Sequence, residues 1–280
     1  MFLENIDSLG MLNHLQDAVI DENKKKLSQS SANQYNFDKL KMYFGEDHIY
    51  KGIIMSMPTV GDILDVGESI FYHAFSSFLY NSTSIRVVLW DNGIDWNKFK
   101  DIEVFNLLIH TIKNKSPLDL VFKNIRFDDF ELVPAKRKIE DDEYNEIALY
   151  SESQDILLYE EDYMYIAEYI REMLNIHPKV EKAKGKTAKS WIIQEDKMNL
   201  SIEDEHSTYS LLPKISACVN HPGFKYKLQE LKEVGIYQFM DSVKRLQKYE
   251  SSTAALKGVF SGFVSAKDFQ EETLNFMSDL

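Results

Sequence analysis

The stretch "PTVGDILDVGE" spaces three carboxylates, Asp62, Asp65 and Glu68, three residues apart, the first pattern in this sequence that could do chemistry. Converging acids serve general acid–base catalysis or hold a divalent cation. On a helix, however, three-residue steps turn a side chain by about −60° each, so Asp62 and Glu68 diverge by roughly a third of the circumference. Thr59 ahead of Asp62 instead has the spacing of a capping box, and acids in a first turn are favoured by the helix dipole. A helix start is therefore expected here rather than an acidic centre.

The other chemistry-bearing residues fare similarly. "KAKGKTAKS" contains Gly185-Lys186-Thr187, the tail of a phosphate-binding loop, but the position five residues before Gly185 is Val180 and no buried strand precedes it. A basic helix start is expected, with lysines suited to an acidic partner surface. His14, His48, His73, His110, His177, His206 and His221 show no metal-binding spacing, and His73 and His110 lie among apolar residues, where a lone histidine is expected in the core. Cys218, beside His221, is expected as a buried structural thiol. No GxSxG nucleophile turn occurs. A metal-dependent nuclease is the one enzymatic alternative, using Asp128 or Asp129 with Glu195 and Lys197 from "EDK". The expectation is a protein without catalytic activity, cofactor or metal.

Composition narrows the partners. The chain has 280 residues, 44% hydrophobic and 12% aromatic, enough to bury a sizeable core. A net charge of −13 argues against nucleic-acid binding, which needs clustered cations. One cysteine excludes an intrachain disulfide and points to a reducing compartment. The N-terminal "MFLENIDSLGMLNHLQDAVI" lacks the pattern of a secretory signal, and no apolar run approaches a membrane span, so a cytoplasmic protein with no membrane partner is expected.

The elements that must position these residues read as α+β and mainly α, with a mixed N-terminal half and a helical C-terminal half. Residues 1–35 read as a short helix, carrying Leu9, Leu12, Leu15 and Val19, and a polar linker. A mixed domain follows over 36–137, with a strand in "HIYKGIIMSM", a helix over 60–80 carrying Ile63, Leu64, Phe71, Phe75 and Phe78, a buried strand in "SIRVVLW", and a helix capped by Asp101. The charged stretch 136–145 reads as a connection to a mainly helical domain over 143–280. That domain opens on a small hairpin in "IALYSESQDILLYEE". It continues through a helix bearing Tyr163, Ile166, Ala167, Ile170 and Leu174, then further helices near 181–200, 207–219 and 235–256.

Two stretches carry distinctive phrases: "PTVGDILDVGESIFY" with "LWDNGIDWNKFKDIEVFNLLI", and "HPGFKYKLQELKEVGIYQFMDSVKRLQKYESSTAALKGVFSGF". Their Pro-Thr-x-Gly, Gly-Ile-Asp-Trp and Gln-Phe-x-x-Ser-x-x-Arg phrases resemble morphogenesis proteins of tailed bacteriophages of Gram-positive hosts. The helical second half is also similar to tail assembly chaperones. The resemblance implies action through protein–protein contacts in the host cytoplasm, as a chaperone or as a structural virion component of tail, connector or baseplate. Its partners would be other phage proteins, such as tape-measure or tail proteins, or a second copy of the chain. Partner binding is expected at the apolar stripe Ile236, Phe239, Met240, Val243 and Leu246 and at Phe260 and Phe263 in the tail beyond it.

Overall fold

The computed structural model describes residues 35–139, 142–200, 210–278 and 280. The expected N-terminal helix and linker lie outside these residues. Asp38 caps α1 (Lys39–Phe44) by accepting from the Lys41 amide, and Gly45 closes it in the left-handed region. "HIYKGIIMSM", expected as one strand, is a hairpin of β1 (His48–Tyr50) and β2 (Ile53–Met55). Lys51 and Gly52 both take positive φ at its turn, the backbone that a tight two-residue hairpin requires.

The Thr59–Asp62 capping box is present. Asp62 receives the Thr59 amide at 2.8 Å, and the Thr59 hydroxyl receives the Asp62 amide at 3.0 Å. It opens α2 (Val60–Val66), and Gly67 at φ 95° separates α2 from α3 (Glu68–Leu79). Ile63, Phe71, Phe75 and Phe78 are buried as expected, whereas Leu64, about 100° around α2 from Ile63, is exposed. "SIRVVLW" is not a strand: residues Arg86–Asp91 form helix α4. Helix α5 (Asp101–Ile109) starts one residue before the sequence reading placed it, with Lys100 at the cap and Asp101 in its first turn.

Of the charged stretch 136–145, residues 136–139 and 142–145 are strand rather than the expected connection. They continue the paired ends of β3 (Phe130–Ile139) and β4 (Asp142–Ser151), with Lys136 opposite Asn145 and Lys138 opposite Glu143. β5 (Ile156–Tyr159) completes an antiparallel three-stranded sheet in the order β3-β4-β5. Helices α6 (Glu160–Leu174), α7 (Lys186–Leu200), α8 (Leu211–Asn220), α9 (Ile236–Phe260) and the single turn α10 (Glu271–Leu274) follow. The protein is thus α+β and mainly α.

One hydrophobic cluster joins both sides of the 136–145 segment. Phe78 contacts Phe105 at 5.0 Å, Phe122 at 5.4 Å and Phe127 at 5.2 Å between ring centroids, and Tyr163, Ile170 and Phe239 belong to the same core. The buried Arg171 of α6 ties the layers: its Nε donates to the Phe78 carbonyl at 3.0 Å, and its Nη2 donates to the Tyr80 carbonyl and to Asp101. Carbonyls at the end of α3 thereby gain the donors that a helix terminus lacks. A second, smaller cluster holds Ile85, Leu89, Trp96, Leu107, Leu108, Ala183 and Ile193, and packs α4 and α5 under α7.

Candidate functional site

The Pro-Thr-x-Gly phrase is a joint. The Val60 amide donates to the Val234 carbonyl at 2.9 Å, and the Ile236 amide donates to the Pro58 carbonyl at 2.9 Å. A Cβ on Gly61 would stand 2.7 Å from the Lys232 carbonyl oxygen, so the backbones meet at a distance only glycine allows. Glu68 fastens the same region by accepting from the Leu211 amide at the start of α8. Asp62 and Glu68 are therefore structural residues: one caps its own helix, the other caps a helix far away in sequence.

The Gln-Phe-x-x-Ser-x-x-Arg phrase runs along α9. Gln238 donates to the Tyr226 hydroxyl at 2.9 Å, Phe239 is fully buried, and Ser242 bonds back to the Gln238 carbonyl. Arg245 donates to the carbonyls of Phe276 at 2.6 Å and Ser278 at 2.9 Å, and Lys248 reaches Ser278 at 3.0 Å. Phe276 meets Tyr249 edge-on at 5.4 Å. These contacts fold the tail back along α9.

The seven residues expected to bind a partner divide into two groups. Ile236, Phe239 and Met240 lie in the main core, with Val243 and Leu246 packed against it, so these five are withdrawn from a docking surface. The physical reason is the joint at Pro58–Gly61, which holds the first turns of α9 against the body. Phe260 and Phe263 are 84% and 88% exposed. α9 has 25 residues, about 37 Å at the helical rise, long enough to carry its end clear of the core.

The turn beyond α9 is ordered. The Ser261 amide donates to the Lys257 carbonyl, Gly262 takes φ 78°, and the Phe263 amide donates to the Gly258 carbonyl at 3.1 Å. Val264 lies so close to Gly258 that a Cβ there would stand 3.0 Å from its methyl group. Two large aromatic rings are thus held in water by a defined backbone, which costs hydrophobic free energy unless something covers them. An open cleft of about 620 Å³, lined by Gln270, Glu271, Glu272, Asn275 and Ser278, lies in the tail.

Of the residues of the nuclease alternative, Asp129 accepts from Ser151 and Ser153. Asp128 lies 4.0 Å from Lys115, whereas Lys197 pairs with Asp91 at 2.6 Å and Glu195 is exposed on α7. Among the described residues no three His, Cys, Asp or Glu side chains are grouped to hold a metal ion. His73, on α3, and His110, which ends α5, are exposed rather than in the core. Cys218 is buried, which raises its thiol pKa, and His221 turns away to Glu250 at 2.9 Å. Lys189, from the basic start of α7, is spent on Asp95 at 2.7 Å. No described helix is long and apolar enough to cross a membrane.

An α+β body bearing a helical arm with an aromatic tip describes the class of protein. Residues 203–280, which contain the arm, match the family model for the YomV second domain. YomV is a Bacillus phage-region protein, and the match, over the C-terminal quarter of the chain, supports a phage-related protein. No curated protein and no solved structure matches the chain.

Proposed function

We propose that this phage-related chain is a morphogenesis protein acting through protein–protein contacts in the host cytoplasm. In this reading it is a tail assembly chaperone whose partner, a tape-measure or tail protein, docks at the tip of α9. The observation that carries it is the exposed pair Phe260 and Phe263 on an ordered turn. Large aromatics make good interface anchors because they bury much apolar area at little conformational cost. The body needs no catalytic centre for this work, and its joints to the arm fix where the tip points.

Mass spectrometry of purified virions tests the role. A chaperone is absent from finished particles, and presence at fixed stoichiometry would make the chain a structural component instead. Incubation with plasmid DNA and Mg²⁺ or Mn²⁺ tests the absence of catalysis. Cleavage that disappears in Lys197→Ala would overturn the non-enzymatic reading.

A further inference from the structure

Between α6 and α7 the chain runs without helix or strand over 176–184, yet residues 181–184 follow a two-residue alternation: Glu181 and Ala183 turn inward, Lys182 and Lys184 outward. That is the periodicity of an extended peptide. Side chains of the body read its backbone. Asn81 Nδ2 donates to the Lys179 carbonyl at 3.0 Å. The Thr83 hydroxyl receives the Glu181 amide at 3.1 Å, and Trp96 Nε1 donates to the Glu181 carbonyl at 3.0 Å. Asn97 Nδ2 donates to the Ala183 carbonyl at 2.7 Å.

Two inward side chains are read as well. Glu181 pairs with Arg86 at 2.5 Å, and the buried Ala183 enters the second hydrophobic cluster beside Trp96. Arg86 holds the Glu181 carboxyl below the usual carboxylate range. Main-chain bonds supply affinity that any extended peptide can use, while alternate side-chain pockets supply selection. One group in the channel stays unmet: the side-chain oxygen Oδ1 of Asn97 is buried with no donor. An Asn that both donates to and accepts from a peptide backbone would complete the pattern that this segment half fills.

We propose that the channel lined by Asn81, Thr83, Arg86, Trp96 and Asn97 is a peptide-binding site, occupied in cis by residues 179–183. Its ligand in trans is an extended segment of a partner protein with a glutamate two residues before a small residue. The cis occupant is retained by ion pairs of α7: Asp196 on both Arg86 nitrogens Nε and Nη2, Lys189 on Asp95 and Lys197 on Asp91. Of these, the exposed Lys197–Asp91 pair is the one salt weakens most, while the Arg86 pairs are largely shielded. The Gly-Ile-Asp-Trp phrase then has a purpose, since Asp95 and Trp96 build one wall of the channel.

The test uses the full chain and a fluorescent peptide of sequence PKVEKAK, taken from residues 178–184. The variant combining Glu181→Ala with Ala183→Asp weakens the cis occupant and leaves the channel intact. It should bind the peptide at least about tenfold more tightly than the unaltered chain, the scale of one charge-assisted hydrogen bond. Adding Asn97→Ala should remove that gain. A variant that is folded by circular dichroism but does not bind would overturn the proposal. Hydrogen exchange on the unaltered chain gives a second reading that needs no variant. The Glu181 amide should exchange before the amides of α6, and exchange only upon global unfolding would overturn the proposal. Dimerisation of the unaltered chain that excess peptide reverses would assign the channel to a second copy and overturn the partner assignment.

Discussion

Replacing Phe239 and Phe263 separately distinguishes core from interface along one helix and its tail. Phe239 is fully buried in the main cluster near the start of α9, and Phe263 is 88% exposed just beyond its far end. Phe239→Ala deletes a buried ring and leaves a cavity, at a cost of about 3–5 kcal/mol. At roughly 2 °C per kcal/mol, the lower end of the range for somewhat shorter chains, the melting temperature should fall by about 6–10 °C. Phe263→Asp alters a ring already in water, so stability should move by only about ±0.5 kcal/mol. The assay is calorimetric melting of both variants beside co-purification of the tagged chain with the phage tape-measure protein. Phe263→Asp should abolish co-purification with its melting nearly unchanged. If it melts as early as Phe239→Ala, Phe263 packs in the body and the argument from exposure fails.

Gly61→Ala should destabilise the protein by about 1–3 kcal/mol, read from a urea midpoint, because the Lys232 carbonyl cannot retreat without moving the start of α9. Arg171→Met should cost about 3–5 kcal/mol in the same measurement, since it strands Asp101 and the carbonyls of Phe78 and Tyr80. Asp129 should titrate at about 2 by carboxyl NMR, because hydrogen bonds from Ser153 and Ser151 hold its ionised form. A carboxyl depressed on folding stabilises above its ordinary range and loses that contribution as pH falls toward 2. Asp129→Asn should therefore flatten the acid limb of the stability profile between about pH 4 and 2.

What was legible in the sequence was local. The Thr59–Asp62 box spans one turn, and the apolar spacing of Tyr163, Ile166, Ala167, Ile170 and Leu174 shows directly as the buried face of α6. "SIRVVLW" misled because its β-branched residues favour a strand in isolation. In the fold Ile85 and Leu89 fill the second core one helical turn apart, and Arg86 takes partners about a hundred residues away, which overrides propensity. Residues 136–145 misled for the opposite reason. Charge without an apolar pattern looks like a loop, but here the polar ends of β3 and β4 continue the ladder, with Lys136 in register with Asn145. Of the proposed channel only the Gly-Ile-Asp-Trp phrase stood out in the sequence, since Asn81, Thr83, Trp96 and Asn97 meet residues 179–183 only through the folded chain.

The matched C-terminal segment is not a detachable appendage. Phe239 and Met240 fill the main core, the Pro58–Gly61 joint grips its approach, and Glu68 caps α8, so the body determines where the arm begins. From Arg245 onward the helix carries the tail, with Arg245 and Lys248 bonded to its carbonyls and Tyr249 against Phe276. A chain that needed only stability would have no reason to extend α9 past its last core contact or to fix Phe260 and Phe263 in water. The buried inner half and the exposed outer end together make an arm whose start is fixed by the body and whose tip, with Phe260 and Phe263, faces solvent.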